Sequence, residues 1–196
     1  MIGTLGSAAI VVWSTAVARR GLPAWDAITF RRINDLPDAL APYVWLPMQA
    51  GALGAPLAIG AFIAVRGDRA IGLKIAGTGL AAWAGAKALK KSTGRGRPGD
   101  HDDATVLRMG SADHGLGYPS GHAAVAASLV SALTAGTGGA TRALGVALAG
   151  VVGMSRIYVG AHYPLDIIGG YALGSAIASA SGTVEDLVSG SWPRAD

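Results

Sequence analysis

Long uncharged stretches alternate with short polar ones along this chain. Residues 1–18, 44–65, 123–141 and 167–184 contain no Asp, Glu, Lys or Arg. Each approaches or reaches the roughly 20 apolar residues that a helix needs to cross a bilayer. Filling in the weaker runs predicts an all-α, polytopic membrane protein. Its six helices fall near residues 1–18, 44–65, 70–89, 121–138, 142–157 and 164–184 of a single domain, 1–196. The fifth has the shortest uncharged core and is placed by its position between two polar motifs. Along the sixth, Gly170, Gly174, Ala178 and Gly182 recur every four residues, a small-residue stripe that lets helices approach closely. Between the first two spans, Trp25, Ile28, Phe30 and Ile33 are interleaved with Asp26, Arg31, Arg32 and Asp35. That pattern suits a short amphipathic element lying at the interface. Residues 92–118 form a polar loop and 185–196 a polar tail.

Composition agrees with membrane burial. Hydrophobic residues make up 51% of the chain and charged residues 14%, against about 25% charged in a soluble domain. The first apolar stretch lacks a basic leader and a cleavage site, so it reads as a helix rather than a removable signal. There is no cysteine, which excludes disulfides, thiolate metal sites and cysteine nucleophiles. The net charge of +4 is small and no Lys/Arg block is interleaved with aromatics, so nucleic-acid binding is not expected. The sequence sets no oligomeric state.

Three polar motifs interrupt the hydrocarbon, and charge beside hydrocarbon is costly enough to need a reason. The first is Ser155–Asp166, S-R-I-Y-V-G-A-H-Y-P-L-D. Pro164 suits the first turn of a helix, which puts Asp166 in that turn and within reach of His162 just outside it. A carboxylate on one ring nitrogen leaves the other as a nucleophile, and Arg156 can hold a phosphate. The alternative is a helix start with an acidic first-turn residue and an interfacial histidine. The second motif is K-K-S-T-G-R-G-R-P, where Lys90 ends a helix and a glycine turn can bring Arg97 back toward it. An ammonium and a guanidinium can grip a phosphate from two directions; a plain headgroup-attracting cluster is the alternative. The third is Tyr118-Pro-Ser-Gly-His122. Ser120 sits at a helix N-cap, with backbone donors of Ser120, Gly121 and His122 pointing out of the helix end toward an anion. His122 is placed to act as general acid. His101-Asp102-Asp103 looks like metal-ligand material but sits in a glycine-flanked loop and reads as a solvated turn, as does His114.

In order, these motifs resemble the signature of the type 2 phosphatidic acid phosphatase superfamily: K-x6-R-P, P-S-G-H and S-R-x5-H-x3-D. Every signature position is matched, over roughly 25 residues, and six spans put the motif-bearing loops on one side. The resemblance implies that Lys90, Arg97 and Arg156 bind the phosphoryl oxygens and that Ser120 and Gly121 add hydrogen bonds. His162 attacks phosphorus to form a phosphohistidine, and Asp166 orients it. His122 protonates the leaving group and then activates water. It implies no cofactor and no metal, because the basic side chains neutralise charge that Mg²⁺ handles in kinases.

The function expected is hydrolysis of a lipid phosphate or diphosphate lodged in the bilayer. Phosphatidate, phosphatidylglycerol phosphate and polyprenyl phosphates, diphosphates or phosphosugars are the candidate substrates. Phosphotransfer from the same phosphohistidine, or a non-catalytic lipid-phosphate carrier, are the alternatives. A multi-pass place in the cell membrane follows. Lys and Arg counts put the motif face in the cytoplasm, whereas bacterial relatives of the family mostly face it outward, and outward is the expectation.

Overall fold

The computed structural model describes residues 3–112 and 114–189, with side chains to 182. Nine α-helices occur among the described residues: α1 (Thr4–Arg19), α2 (Ala24–Asn34), α3 (Ala41–Met48), α4 (Gly54–Val65), α5 (Arg69–Thr93), α6 (Pro98–His101), α7 (Gly121–Leu133), α8 (Gly139–Tyr158) and α9 (Pro164–Ser189). Short 3-10 turns cover Asp38–Leu40 and Gln49–Gly51. Of the predicted tail, the part from residue 190 lies outside the described residues.

The central element is α7. Every residue from Ala123 to Leu129 is buried, as expected of a helix enclosed on all sides. It packs against α5, α8 and α9, and α1 lies along α9. Its approach to α9 is closest where Gly170 faces the Ser120 carbonyl and Gly174 faces that of Ala124; a methyl at either would overlap the facing backbone. The stripe's outer member, Gly182, has open space where a Cβ would stand. α4 and α5 meet the same way through Gly60 and Gly72.

Two expected spans differ in form. Residues 44–65 are not one helix: the two halves, Asp38–Gly51 and Gly54–Val65, are bent by 60°. Pro47 near the end of α3 removes a donor and crowds the preceding turn. The break also brings Gly51 against the His122 carbonyl, where a side chain would not fit. α7 stops at Leu133, five residues short of the predicted end at 138, where the Thr134 hydroxyl donates to the Val130 carbonyl at 2.8 Å and Gly136 adopts φ +73°. Among the described residues, α8 alone is long and apolar enough to cross a membrane by itself, and the bent pair passes only as a unit. By that measure fewer helices qualify than the six expected. The amphipathic stretch expected after residue 18 is helix α2, followed by the first 3-10 turn.

Helix polarity gathers the motifs at one end. α5 and α8 finish there and α7 and α9 begin there. Gly94, at φ +66°, ends α5 in the left-handed conformation and returns its N–H to the Lys90 carbonyl at 3.2 Å. Gly174→Ala is expected to cost about 1–3 kcal/mol from overpacking, and Gly182→Ala nothing; thermal unfolding in detergent compares the two.

Candidate active site

Where these four helix ends meet, a cavity of about 350 Å³ opens, lined in part by Lys90, Arg97, Gly121, His122, Arg156 and His162. Six of the eight residues singled out from sequence are therefore together. The other two stand behind the wall. Ser120 is fully buried at the α7 N-cap, where its hydroxyl accepts from Ala123 N–H at 3.4 Å. Asp166 is fully buried in the first turn of α9, behind His162.

Each cation is tied to backbone carbonyls. Lys90 Nζ donates to Leu116 O at 2.8 Å and Gly117 O at 2.7 Å. Arg97 Nη1 donates to Ala161 O at 3.0 Å, and Arg156 Nη1 to Gly110 O at 2.6 Å. Arg97 is turned inward because it caps α6: its backbone N–H donates to Asp100 Oδ2 at 2.8 Å. These contacts fix the cations in place, so little ordering remains when an anion arrives.

His162 lies in the loop between α8 and α9, only 2% exposed. Burial, then the positive charges of Lys90, Arg156 and Arg97, hold its imidazole pKa well below 6.5. It is thus neutral and carries a free lone pair. Its Nδ1 lies 3.4 Å from Asp166 Oδ2 without hydrogen-bond geometry, and that oxygen accepts Tyr163 N–H at 2.9 Å. With Nδ1 toward the carboxylate, Nε2 is the nitrogen left for the cavity. Tyr163 is the N-cap of α9, Pro164 its first residue and Asp166 its third, so the carboxylate caps the helix and backs the imidazole at once.

Comparison with known proteins bears on this arrangement. The family model described as the PAP2 superfamily matches residues 71–185. The chain belongs to that superfamily. The undecaprenyl-diphosphatase of Sulfolobus acidocaldarius is 41% identical over 68 residues, which are 35% of this chain and 33% of that protein, so the chain matches about a third of that relative's length. The crystal structure of Aquifex aeolicus LpxE superposes with a TM-score of 0.74 at 22% identity, covering 82% of this chain and 96% of that one. That of the first transmembrane PAP2-type phosphatidylglycerolphosphate phosphatase from Bacillus subtilis gives 0.75 at 18% identity, over 96% and 98%. The two structures show that the fold is shared.

In this PAP2 chain the site depends on residues outside the signature that the sequence did not distinguish. Asn34 Nδ2 donates to Val106 O at 2.9 Å and Tyr158 O at 3.0 Å, and its Oδ1 accepts Val106 N–H at 2.9 Å. Arg108 donates to the carbonyls of Asn34, Leu36 and Tyr158 and to the Asp38 carboxylate. Together they pin the loop that carries Gly110, the acceptor of Arg156. Arg95 and Asp26 are likewise buried, within hydrogen-bond range of each other. In sequence, Arg95 is one more base in G-R-G-R-P and Asp26 one acid among the charges of an amphipathic run. In the triplet His101-Asp102-Asp103, His101 and Asp103 are exposed as expected of a solvated turn, but Asp102 is half-buried and pairs with Arg31 at 2.6 Å, and His101 tilts against the Tyr163 ring at 6.2 Å. His114 Nδ1 lies 3.5 Å from Asp100 Oδ1.

A depressed histidine pKa keeps the neutral form to lower pH. A ¹⁵N-histidine titration in detergent is expected to show no step at pH 6.5 that disappears in His162→Gln. Asn34→Ala is expected to cost about 2–4 kcal/mol by stranding buried backbone groups, read as a lowered melting temperature.

Proposed function

We propose that this chain hydrolyses the phosphomonoester or diphosphate end of a membrane lipid through a phosphohistidine on His162, without a metal. One observation carries the reading: a buried imidazole with a carboxylate behind it opens into a cavity whose other polar walls are four basic side chains and a second histidine. A pocket that only held phosphate would need the cations but not the imidazole–carboxylate pair.

The chemistry runs from the residues present. Lys90, Arg97 and Arg156 take the phosphoryl oxygens, and backbone donors at the start of α7 add to them at the positive end of the helix. Acting as general acid requires His122 to take up a proton together with the substrate, whose negative charge offsets the three nearby cations. The His162 Nε2 lone pair forms a bond to phosphorus as the P–O bond to the lipid breaks, and His122 gives its proton to the departing oxygen. Asp166 balances the imidazolium. His122 then takes a proton from water as that water attacks phosphorus; the P–N bond breaks, releasing phosphate and restoring neutral His162.

The lipid character of the substrate follows from the rest of the cavity. Its far wall is Gly51, Ala52, Leu53, Trp83 and Ala86, an apolar path through the break before α4. Lys87 Nζ sits 4.1 Å over the Trp83 ring, a cation and an aromatic of the kind that gathers at headgroup level. Large apolar side chains also face outward: Leu5, Phe62, Val65, Leu73 and Leu144 are all more than 60% exposed. Exposed apolar surface on this scale marks contact with lipid. On this reading the chain crosses the membrane as α1, the broken α3–α4 pair, α5, α7, α8 and α9; the outward placement of the site rests on the family resemblance alone. The name of the Sulfolobus relative favours a polyprenyl diphosphate among the candidate substrates.

The test is inorganic phosphate release by detergent-purified protein offered a panel of lipid phosphates and diphosphates with EDTA present. Release is expected from at least one lipid and is expected to fall by about 10³-fold or more in His162→Ala, as for loss of a covalent nucleophile. Equal release from the variant would sink the phosphohistidine. Lipid consumed without free phosphate would point instead to transfer to another acceptor.

A further inference from the structure

Resting on that reading, we propose that Arg95 and Asp26 are positioning residues for the nucleophile, fixing through a buried Asp26–Arg95–Asp166 chain which carboxylate oxygen of Asp166 faces His162. The three side chains come from α2, the loop after α5 and α9. Their side chains are 0%, 4% and 0% exposed. Arg95 Nη2 donates to Asp26 Oδ2, and Arg95 Nη1 stands 3.4 Å from Asp166 Oδ1. Its guanidinium also lies over the Tyr163 ring, 5.1 Å from the centroid.

The two oxygens of Asp166 consequently have different neighbours. Oδ2 accepts Tyr163 N–H and faces His162 Nδ1. Oδ1 has no hydrogen-bond partner, and its cationic neighbour is Arg95. Without that cation, a dry carboxylate would gain by taking a proton. A protonated Asp166 cannot balance the imidazolium that forms when His162 bonds to phosphorus. Asp26 in turn keeps Arg95 from swinging away. Its second oxygen accepts Leu165 N–H at 2.8 Å, so one carboxylate ties the arginine to the first turn of the helix that carries Asp166. Arg95 does not line the cavity, whereas Arg97, two residues on, does. Its part is therefore not to grip substrate. Partners that orient a metal-binding histidine are worth about 10–100-fold in activity when removed, and a loss of that order is expected here.

Arg95→Gln is expected to lower kcat about 10–100-fold with KM nearly unchanged. The decisive readout is a cycle with Asp166→Asn. A residue that acts only through Asp166 has nothing left to act on once that carboxylate is gone, so Arg95→Gln/Asp166→Asn is expected to be no slower than Asp166→Asn alone. Asp26→Asn keeps one oxygen, enough for Leu165 N–H, and turns the other position into an NH2 donor, so it breaks the bond to Arg95 while leaving Arg95 itself in place. It serves as the milder variant if Arg95→Gln does not fold, and the same cycle is run on it. Losses that multiply, a loss confined to KM, or an unchanged kcat overturn the inference while leaving wild-type hydrolysis standing. No phosphate release by the folded wild type overturns both this inference and the proposed function.

Discussion

The structure depends on holding Lys90, Arg97 and Arg156 close together inside a helical bundle. Like charges in a poorly solvated site repel, and each loses hydration that costs several kcal/mol to replace. Backbone carbonyls offset that cost. Leu116 and Gly117 serve Lys90, Ala161 serves Arg97 and Gly110 serves Arg156. All but Ala161 lie in the polar connection between α5 and α7. That loop is long because it must fold over the helix ends and present oxygens inward. The arrangement remains short of negative charge, which the phosphate of the proposed substrate would supply.

Helix polarity distributes the remaining groups. Lys90 and Arg156 stand in the last turns of α5 and α8, where cations suit the negative end of the dipole. Asp166 stands in the first turn of α9, where an anion suits the positive end. His122 follows the N-cap of α7, beside backbone donors without helical partners. The end of the bundle is thereby favourable to each charged group even before substrate is considered. It also explains why α7 and α9 lie so close: both must deliver their first turns to one small cavity. Glycines at 170 and 174 allow that approach.

The His162 loop is supported from a distance by elements that do not touch the cavity. α2 contributes Asp26 and Asn34, one leading to the first turn of α9 and the other to the end of α8. An amphipathic helix at the edge of the fold is thus joined by buried hydrogen bonds to both sides of the His162 loop. Its apolar side serves the same end, since Phe30 packs edge-on against Tyr163 with centroids 5.1 Å apart.

The sequence by itself determined the helical class, the stretches that become helices and the three motifs, because period, capping residues and charge beside hydrocarbon are local properties. Pro164 and Ser120 announced helix starts, and α9 and α7 begin at Pro164 and just after Ser120. Pro47 hints at a break within residues 44–65, but only the tertiary structure shows that Gly51 then packs against the His122 backbone. It alone decided that Arg95 turns to Asp26 and Asp166 while Arg97 turns to the cavity. Two arginines separated by one glycine look alike in a sequence; what separates them is a buried carboxylate from 69 residues earlier in the chain. Long-range pairing of that kind leaves no periodic trace, and so it had to be seen in three dimensions.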